Sequence, residues 1–292
     1  MKFLRPLLGL VLVAASIAVL FVVAKGTHDR RFETQFGELL HETTSEYSRI
    51  RVRERDGVRS LLFVDEKGAE QRQSAIDLEA PHELQLGYTR ALFASLLFRH
   101  PQERVLVVGL GGGGMVRFLQ EALPETRTDV VEIDPTVVKL AADFFGTTEG
   151  PNTTIHTGDA FVFLREPHGP YDAIYMDAFL KAETESEPEE ITPRLKTEAF
   201  LNDLQERLQP DGVVAFNLIE QDPSTPKDLE ALRSAFPSVY VFSVPGTGNL
   251  VAIATLDETR LTSSELHARA TKLEQELETG LPFRQFVGNL RD

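Results

Sequence analysis

The sequence predicts a doubly wound α/β fold: a mostly parallel sheet that ends in an antiparallel hairpin and is preceded by a small antiparallel β domain. Three observations lead there. From about Leu84 onward helical stretches alternate with short apolar strands, the pattern of a sheet with crossover helices. The last two apolar runs, Val239 to Ser243 and Leu250 to Ala254, are separated only by Pro245-Gly246-Thr247-Gly248-Asn249, too short for a helical crossover, so they pair antiparallel. Ahead of these, Tyr47 to Arg53 and Ser60 to Val64 flank Asp56-Gly57, a dipeptide that tightens a hairpin.

Taken in order, the chain opens with an uncharged run from Leu7 to Ala24, preceded by Lys2 and Arg5 and followed by Lys25. At about 1.5 Å per helical residue it would span roughly 27 Å, near the hydrocarbon thickness of a bilayer. Residues 1–31 therefore read as a single membrane anchor, with Val22-Val23-Ala24 leaving a cleaved export signal as the alternative. Basic residues on both flanks choose no side. Residues 32–80 form the small β domain, with Lys67-Gly68 as its second turn. Residues 81–258 form the main domain, with further strands at Arg104 to Val108, Thr128 to Glu132, Tyr171 to Asp177 and Val213 to Asn217. Met115, Phe118, Leu119 and Ala122 repeat at one-face helical spacing after the first of these strands, and Val137, Leu140, Ala141 and Phe144 after the second. Residues 259–292 are a tail whose Leu266, Ala270, Leu273 and Leu277 make a packing stripe.

Composition excludes several functions. The 292 residues carry 30 basic and 45 acidic side chains, a net charge of -15, and no cysteine. Disulfides, zinc-thiolate sites and thiol nucleophiles are thereby ruled out. The acidic balance argues against nucleic acid as a partner, since affinity for phosphate backbones comes mostly from Lys and Arg, and favours a small cationic substrate. The histidines show no metal spacing, so no metal is expected, and without a Gly-x-Ser-x-Gly elbow hydrolase chemistry has no support.

The chemistry begins where the Arg104 strand ends. Gly109-Leu110-Gly111-Gly112-Gly113-Gly114 stands between a strand and a helix, where glycines let the backbone turn tightly and approach a ligand closely. No Lys-Ser or Lys-Thr follows, so this is no Walker phosphate cradle. Glu132, in Val130-Val131-Glu132-Ile133-Asp134, ends the next strand, where an acid can accept both hydroxyl protons of a ribose. Gly158-Asp159-Ala160 follows the third strand; the Asp159 carboxylate suits an adenine amino group and the adjoining backbone N–H at Ala160 a ring nitrogen. Asp177 closes the fourth strand at the rim where open α/β sheets bind ligands. The acidic segment Lys181 to Glu190 would lie over that rim, as a cation-gathering lid or as a solvated loop.

From Glu38 to Gln221 these features stand in the order found in the spermidine synthase family: small β domain, His82-Glu83, glycine loop, Glu132-Ile133-Asp134, Gly158-Asp159, Asp177. The chain resembles that family and its bacterial spermidine-synthase-like relatives, a branch of the S-adenosylmethionine-dependent methyltransferase fold. The resemblance implies a Rossmann-like domain with decarboxylated S-adenosylmethionine or S-adenosylmethionine as donor. It also implies a small-molecule amine as acceptor, and a homodimer. Gly109, Gly111, Gly112, Glu132, Asp159 and Ala160 would hold the donor, His82 would contact donor or acceptor, and Asp177 would be the base. The departures fall on the amine side. Gly112 stands where the family's loop has an Asp that holds the donor amine, Leu180 where a second Asp grips the polyamine, Pro81 in place of a tyrosine and Ser48 in place of a glutamine.

Three functions follow: aminopropyl transfer from an adenosyl sulfonium to an amine, methyl transfer on the same fold, or membrane-tethered nucleoside binding without catalysis. Because adenosyl sulfonium donors are made in the cytosol, a working transferase belongs on the cytoplasmic face, and an exported domain would favour the third.

Overall fold

The computed structural model describes residues 35–178 and 197–291. Its first unit is a four-stranded antiparallel sheet, β1 (Glu38–Thr44), β2 (Arg49–Arg55), β3 (Val58–Val64) and β4 (Glu70–Asp77), in sequential order. The β2–β3 turn is the expected Asp56-Gly57. Both residues have positive φ, 51° and 77°, as a turn whose twist matches the flanking strands requires.

A short helix α1 (Gly87–Leu92) and a 3-10 turn at Phe93–Leu97 lead into the main sheet. There β5 (Arg104–Val108), α2 (Gly114–Ala122), β6 (Arg127–Glu132), α3 (Pro135–Phe145), β7 (Thr153–Thr157), α4 (Ala160–Arg165) and β8 (Tyr171–Met176) alternate. After them come α5 (Glu198–Glu206), β9 (Leu208–Ile219), α6 (Thr225–Ala235), β10 (Ser238–Ser243), β11 (Asn249–Thr255), α7 (Ser263–Glu276), α8 (Phe283–Gly288) and β12 (Leu290–Arg291). The strand order is β12-β10-β11-β9-β8-β5-β6-β7. Pairs among β5 to β9 are parallel, whereas β9–β11, β10–β11 and β10–β12 are antiparallel. The mostly parallel sheet ending in an antiparallel hairpin is thus as expected, and the tail adds one more strand beyond it.

Side chains of β5 alternate between the two faces: Val105 and Val107 join one buried layer, Leu106 and Val108 the other, so the strand is covered on both sides. The tail belongs to the first layer. Leu266, Ala270 and Leu273 of α7 and Phe283 of α8 are buried in it, while Leu277 packs against it. A capping box starts α7, Thr262 accepting from the Glu265 backbone and Glu265 from the Thr262 backbone.

The small sheet is seated on the main domain. Ile50, Val52, Leu61 and Ile76 form one apolar cluster with Val137, Leu140 and Phe145 of α3. Arg59 donates to the Phe144 carbonyl at 2.5 Å, and Ser45 donates at 2.5 Å to Asp134, the residue that caps α3. One wall of the site is therefore carried by this sheet.

Two expectations fall on residues 1–34 and 179–196. The acidic segment from Lys181 to Glu190 lies outside the described residues. The expected membrane anchor also lies outside them, and the membrane placement is corrected: among the described residues no helix is long and apolar enough to cross a membrane. With the anchor go the membrane as a partner and the cytoplasmic-face argument built on it.

Phe145 is 2% exposed at the junction of sheet and main domain. Phe145→Ala should cost about 3–5 kcal/mol of stability, read from the midpoint of denaturant unfolding.

Candidate active site

At the carboxyl ends of β5, β6 and β8 a cavity opens, lined by Gly109 and Gly111, Glu132 and Asp134, Asp159 and Ala160, and Asp177. Its opposite wall comes from Tyr47, Gln73 and Ser74 of the small sheet and from Leu86 and Tyr88 around α1. Four acids line it, and no Lys, Arg or His among the described residues does. A net negative, partly apolar cavity of this kind suits a cation.

Each acid is fixed by local structure. Glu132 accepts the Leu110 backbone N–H at 2.8 Å and that of Asp134 at 3.0 Å, which straps the glycine loop to the neighbouring strand end. Burial raises its pKa against those bonds. The Gly111 N–H adds a third bond, so of the carboxylate's about four lone-pair positions roughly one remains for a hydroxyl. Asp134 and Asp159 begin α3 and α4, accepting from Thr136 and Phe161 N–H groups at 2.8 Å each, as N-cap residues do.

Asp177 is held most tightly. Its backbone N–H donates to the Val108 carbonyl at 2.9 Å, and a β-carbon on Gly109 would lie 2.5 Å from the Asp177 carbonyl oxygen. Gly109 also has φ +97°, a conformation that strongly favours glycine. Asn217 donates to Asp177 Oδ1 at 3.0 Å, and Tyr88 hydrogen-bonds the same carboxyl. Burial pushes the Asp177 carboxyl up to about 7, with the Glu132 charge adding to it and the bonds from Asn217 and Tyr88 opposing it. Burial and the Asp177 charge in turn hold the Tyr88 phenol well above its usual range. It therefore keeps its one proton at neutral pH, for which the Gln73 carbonyl at 3.3 Å competes with Asp177.

Two expected residues sit elsewhere. His82 does not line the cavity; it is half exposed, with Glu121 at 4.0 Å. The preceding Pro81 carbonyl is held by buried Arg117 at 2.9 Å, which fixes that segment away from the cavity wall. Gly112 is also outside the lining. Its carbonyl accepts from Arg117 and Thr147 beneath the loop, at 2.5 and 2.8 Å. A β-carbon there would lie 2.8 Å from the Phe145 ring and 2.9 Å from Ser74 Oγ, so the space of a side chain is already filled. Burial lowers the Arg117 pKa to about 10.

Tyr88, Gln73, Ser74 and Asn217 were not singled out from sequence. Tyr88 belongs to no motif and Asn217 is only the last residue of an apolar strand in the sequence; their approach to Asp177 alone marks them.

A glycine turn after the first parallel strand, an acid at the second strand end and a buried acid at the fourth thus meet at the carboxyl-end rim, where open α/β sheets bind ligands. Residues 85–262 match the spermine/spermidine synthase domain, and the chain belongs to that family. It is 34% identical over 224 residues to the polyamine aminopropyltransferase of Vibrio vulnificus, covering 75% of this chain and 72% of that one. Among solved structures, human methyltransferase-like protein 13 in complex with SAH is 28% identical, with a TM-score of 0.57, covering 65% of this chain and 91% of that one. A probable spermidine synthase from Corynebacterium glutamicum shares the fold at 22% identity, with a TM-score of 0.64, covering 85% and 93%.

Gly112→Asp should not install an amine-holding acid. The displaced Phe145 ring and Ser74 should lower the melting temperature and weaken adenosyl-ligand binding by at least about tenfold in calorimetry.

Proposed function

We propose that this protein transfers an aminopropyl group from decarboxylated S-adenosylmethionine to a small amine, with Asp177 as the base. The observation that carries the reading is a buried carboxyl poised near neutrality in a cavity whose charged lining, among the described residues, is acidic.

The fit to an adenosyl donor rests on this chain's residues. Gly109 and Gly111 leave a surface without β-carbons where the ligand backbone would lie, Glu132 faces the ribose position, and Asp159 with Ala160 faces the purine. The donor supplies an electrophilic carbon next to a positively charged sulfur. The amine nitrogen forms the new C–N bond to that carbon as the C–S bond breaks; the bonding pair stays on sulfur, which leaves as a neutral thioether. The nitrogen must shed a proton, and Asp177 accepts it. Tyr88 and Asn217 donate to the ionised carboxylate and keep it a base despite its burial. Since the sulfonium neutralises as it leaves, alignment of nitrogen, carbon and sulfur supplies much of the acceleration. The acids of the cavity draw both cations in.

Purified protein should convert decarboxylated S-adenosylmethionine and putrescine to methylthioadenosine, detected by chromatography. Asp177→Asn should cut turnover by about 100-fold or more while adenosyl binding in calorimetry stays within about threefold; normal turnover in that variant would sink the assignment of the base. Product only from S-adenosylmethionine, carrying its methyl group, would point instead to methyl transfer. Binding without any product would leave nucleoside binding alone.

Because the base must be ionised, log kcat should fall below about pH 7 and level off above it. The sign for stability is the reverse of the usual carboxylate. The folded-state pKa is raised, so the folded protein binds the extra proton and Asp177 costs more stability as pH rises from about 4 to about 7. The melting-temperature difference, Asp177→Asn minus wild type, should therefore be more positive at pH 8 than at pH 5.

A further inference from the structure

The carboxyl of Asp177 is the end of a directed chain of amides. Asn249 Nδ2 donates to Asn217 Oδ1 at 2.9 Å, and Asn217 Nδ2 donates to Asp177 Oδ1 at 3.0 Å. The three residues lie on three adjacent strands or their ends. β8, which leads to Asp177, is parallel to β9, which carries Asn217, and Asn249 opens β11, antiparallel to β9. Asn217 is 6% exposed, whereas Asn249 is only half-buried at the mouth of the β10–β11 hairpin. That hairpin end is itself fixed, because the Asn249 backbone N–H donates to Thr247 Oγ1 at 3.1 Å and the Val244 N–H to the Asn249 carbonyl at 3.2 Å.

A carboxamide is a donor at one end and an acceptor at the other, and rotation by half a turn exchanges them. Which end of Asn217 meets Asp177 is therefore coupled to what its other partner presents, and here Asn249 presents its NH2. With Asn249 donating, the Asn217 oxygen is engaged and its NH2 must face the carboxylate. Were the amide reversed, a carbonyl oxygen would face an ionised carboxylate inside the protein, an arrangement tolerable only when Asp177 is protonated.

From this geometry we infer that Asn249 is a positioning residue for the reaction: by donating to Asn217 it sets the orientation in which Asn217 supports the ionised base. The inference rests on the role proposed for Asp177. The charged and titratable groups around the chain do not supply this orientation. Tyr88 of α1 and Glu132 of β6 face Asp177 directly, and Glu220, at the end of β9, is paired with Arg291 at 2.7 Å.

The test uses the full chain with Asn249→Asp and Asn249→Ala. An ionised acid at position 249 can only accept, so Asn217 must turn its NH2 toward it and present oxygen to Asp177. Alanine removes the donor without adding charge. With aspartate carboxyl carbons labelled and the Asp177 signal assigned by its loss in Asp177→Asn, NMR titration should show the Asp177 midpoint rising by about one pH unit or more in Asn249→Asp. A smaller rise in the same direction is expected in Asn249→Ala. The acid limb of log kcat should move with it, a loss of up to about tenfold at pH 7 that recovers above the new midpoint, with the donor KM unchanged. Midpoints that stay at the wild-type value in both variants would overturn the inference, as would a rise in Asn249→Asp alone, which would be the added charge acting directly. A loss of turnover equal at all pH values with a lowered melting temperature would also overturn it, since that marks a purely structural role. The titration needs no turnover, so shifted midpoints in a protein that transfers no aminopropyl group would uphold the relay and sink the functional reading instead.

Discussion

The structure is organised around one costly arrangement: a carboxyl buried at the rim of a parallel sheet. An ionisable group taken out of water favours its neutral form, and Asp177 is accordingly pushed up to about 7. What keeps it from being locked in its neutral form is the set of donors aimed at it, Asn217 from the next strand and Tyr88 from the helix that precedes the sheet. Its place is set by close approach of backbone: Gly109 lets the first strand's exit pass within a β-carbon's width of the fourth. The glycine loop and Asp177 are therefore held in direct backbone contact.

The small sheet completes the site. The parallel sheet offers only a rim, a feature shared with many folds of different activity. Tyr47, Gln73 and Ser74 turn the rim into a walled cavity, and the Ile50, Val52 and Leu61 cluster on α3 holds that wall in register. The same seating explains why Gly112 has no side chain: Phe145, at the heart of the seating contact, and Ser74 fill the space above it. Beneath the loop, Arg117 and Thr147 satisfy the Gly112 carbonyl, so the loop is supported by cation and hydroxyl where the family's pattern carries an acid.

The alternation of helix and apolar strand, the Asp56-Gly57 turn and the short link between the last two strands determined the layers, the hairpin and the small sheet from sequence alone, because these follow from local periodicity and turn chemistry. The same reasoning placed Gly109, Glu132, Asp159 and Asp177 together, since strand ends of a parallel sheet share one edge. Only the tertiary structure decided which residues face Asp177: Tyr88 carries no sequence signal and Asn217 is a strand end, and both reach the carboxyl from elements distant in sequence. It likewise decided that His82 stands apart, because the buried guanidinium of Arg117, on another element, anchors its neighbour Pro81. Hydrophobicity along a run states a preference for burial and not what does the burying, and among the described residues no helix is long and apolar enough to cross a membrane. Periodicity is a property of neighbours along the chain, whereas the ionisation of a buried acid is set by groups that only folding brings within hydrogen-bond reach.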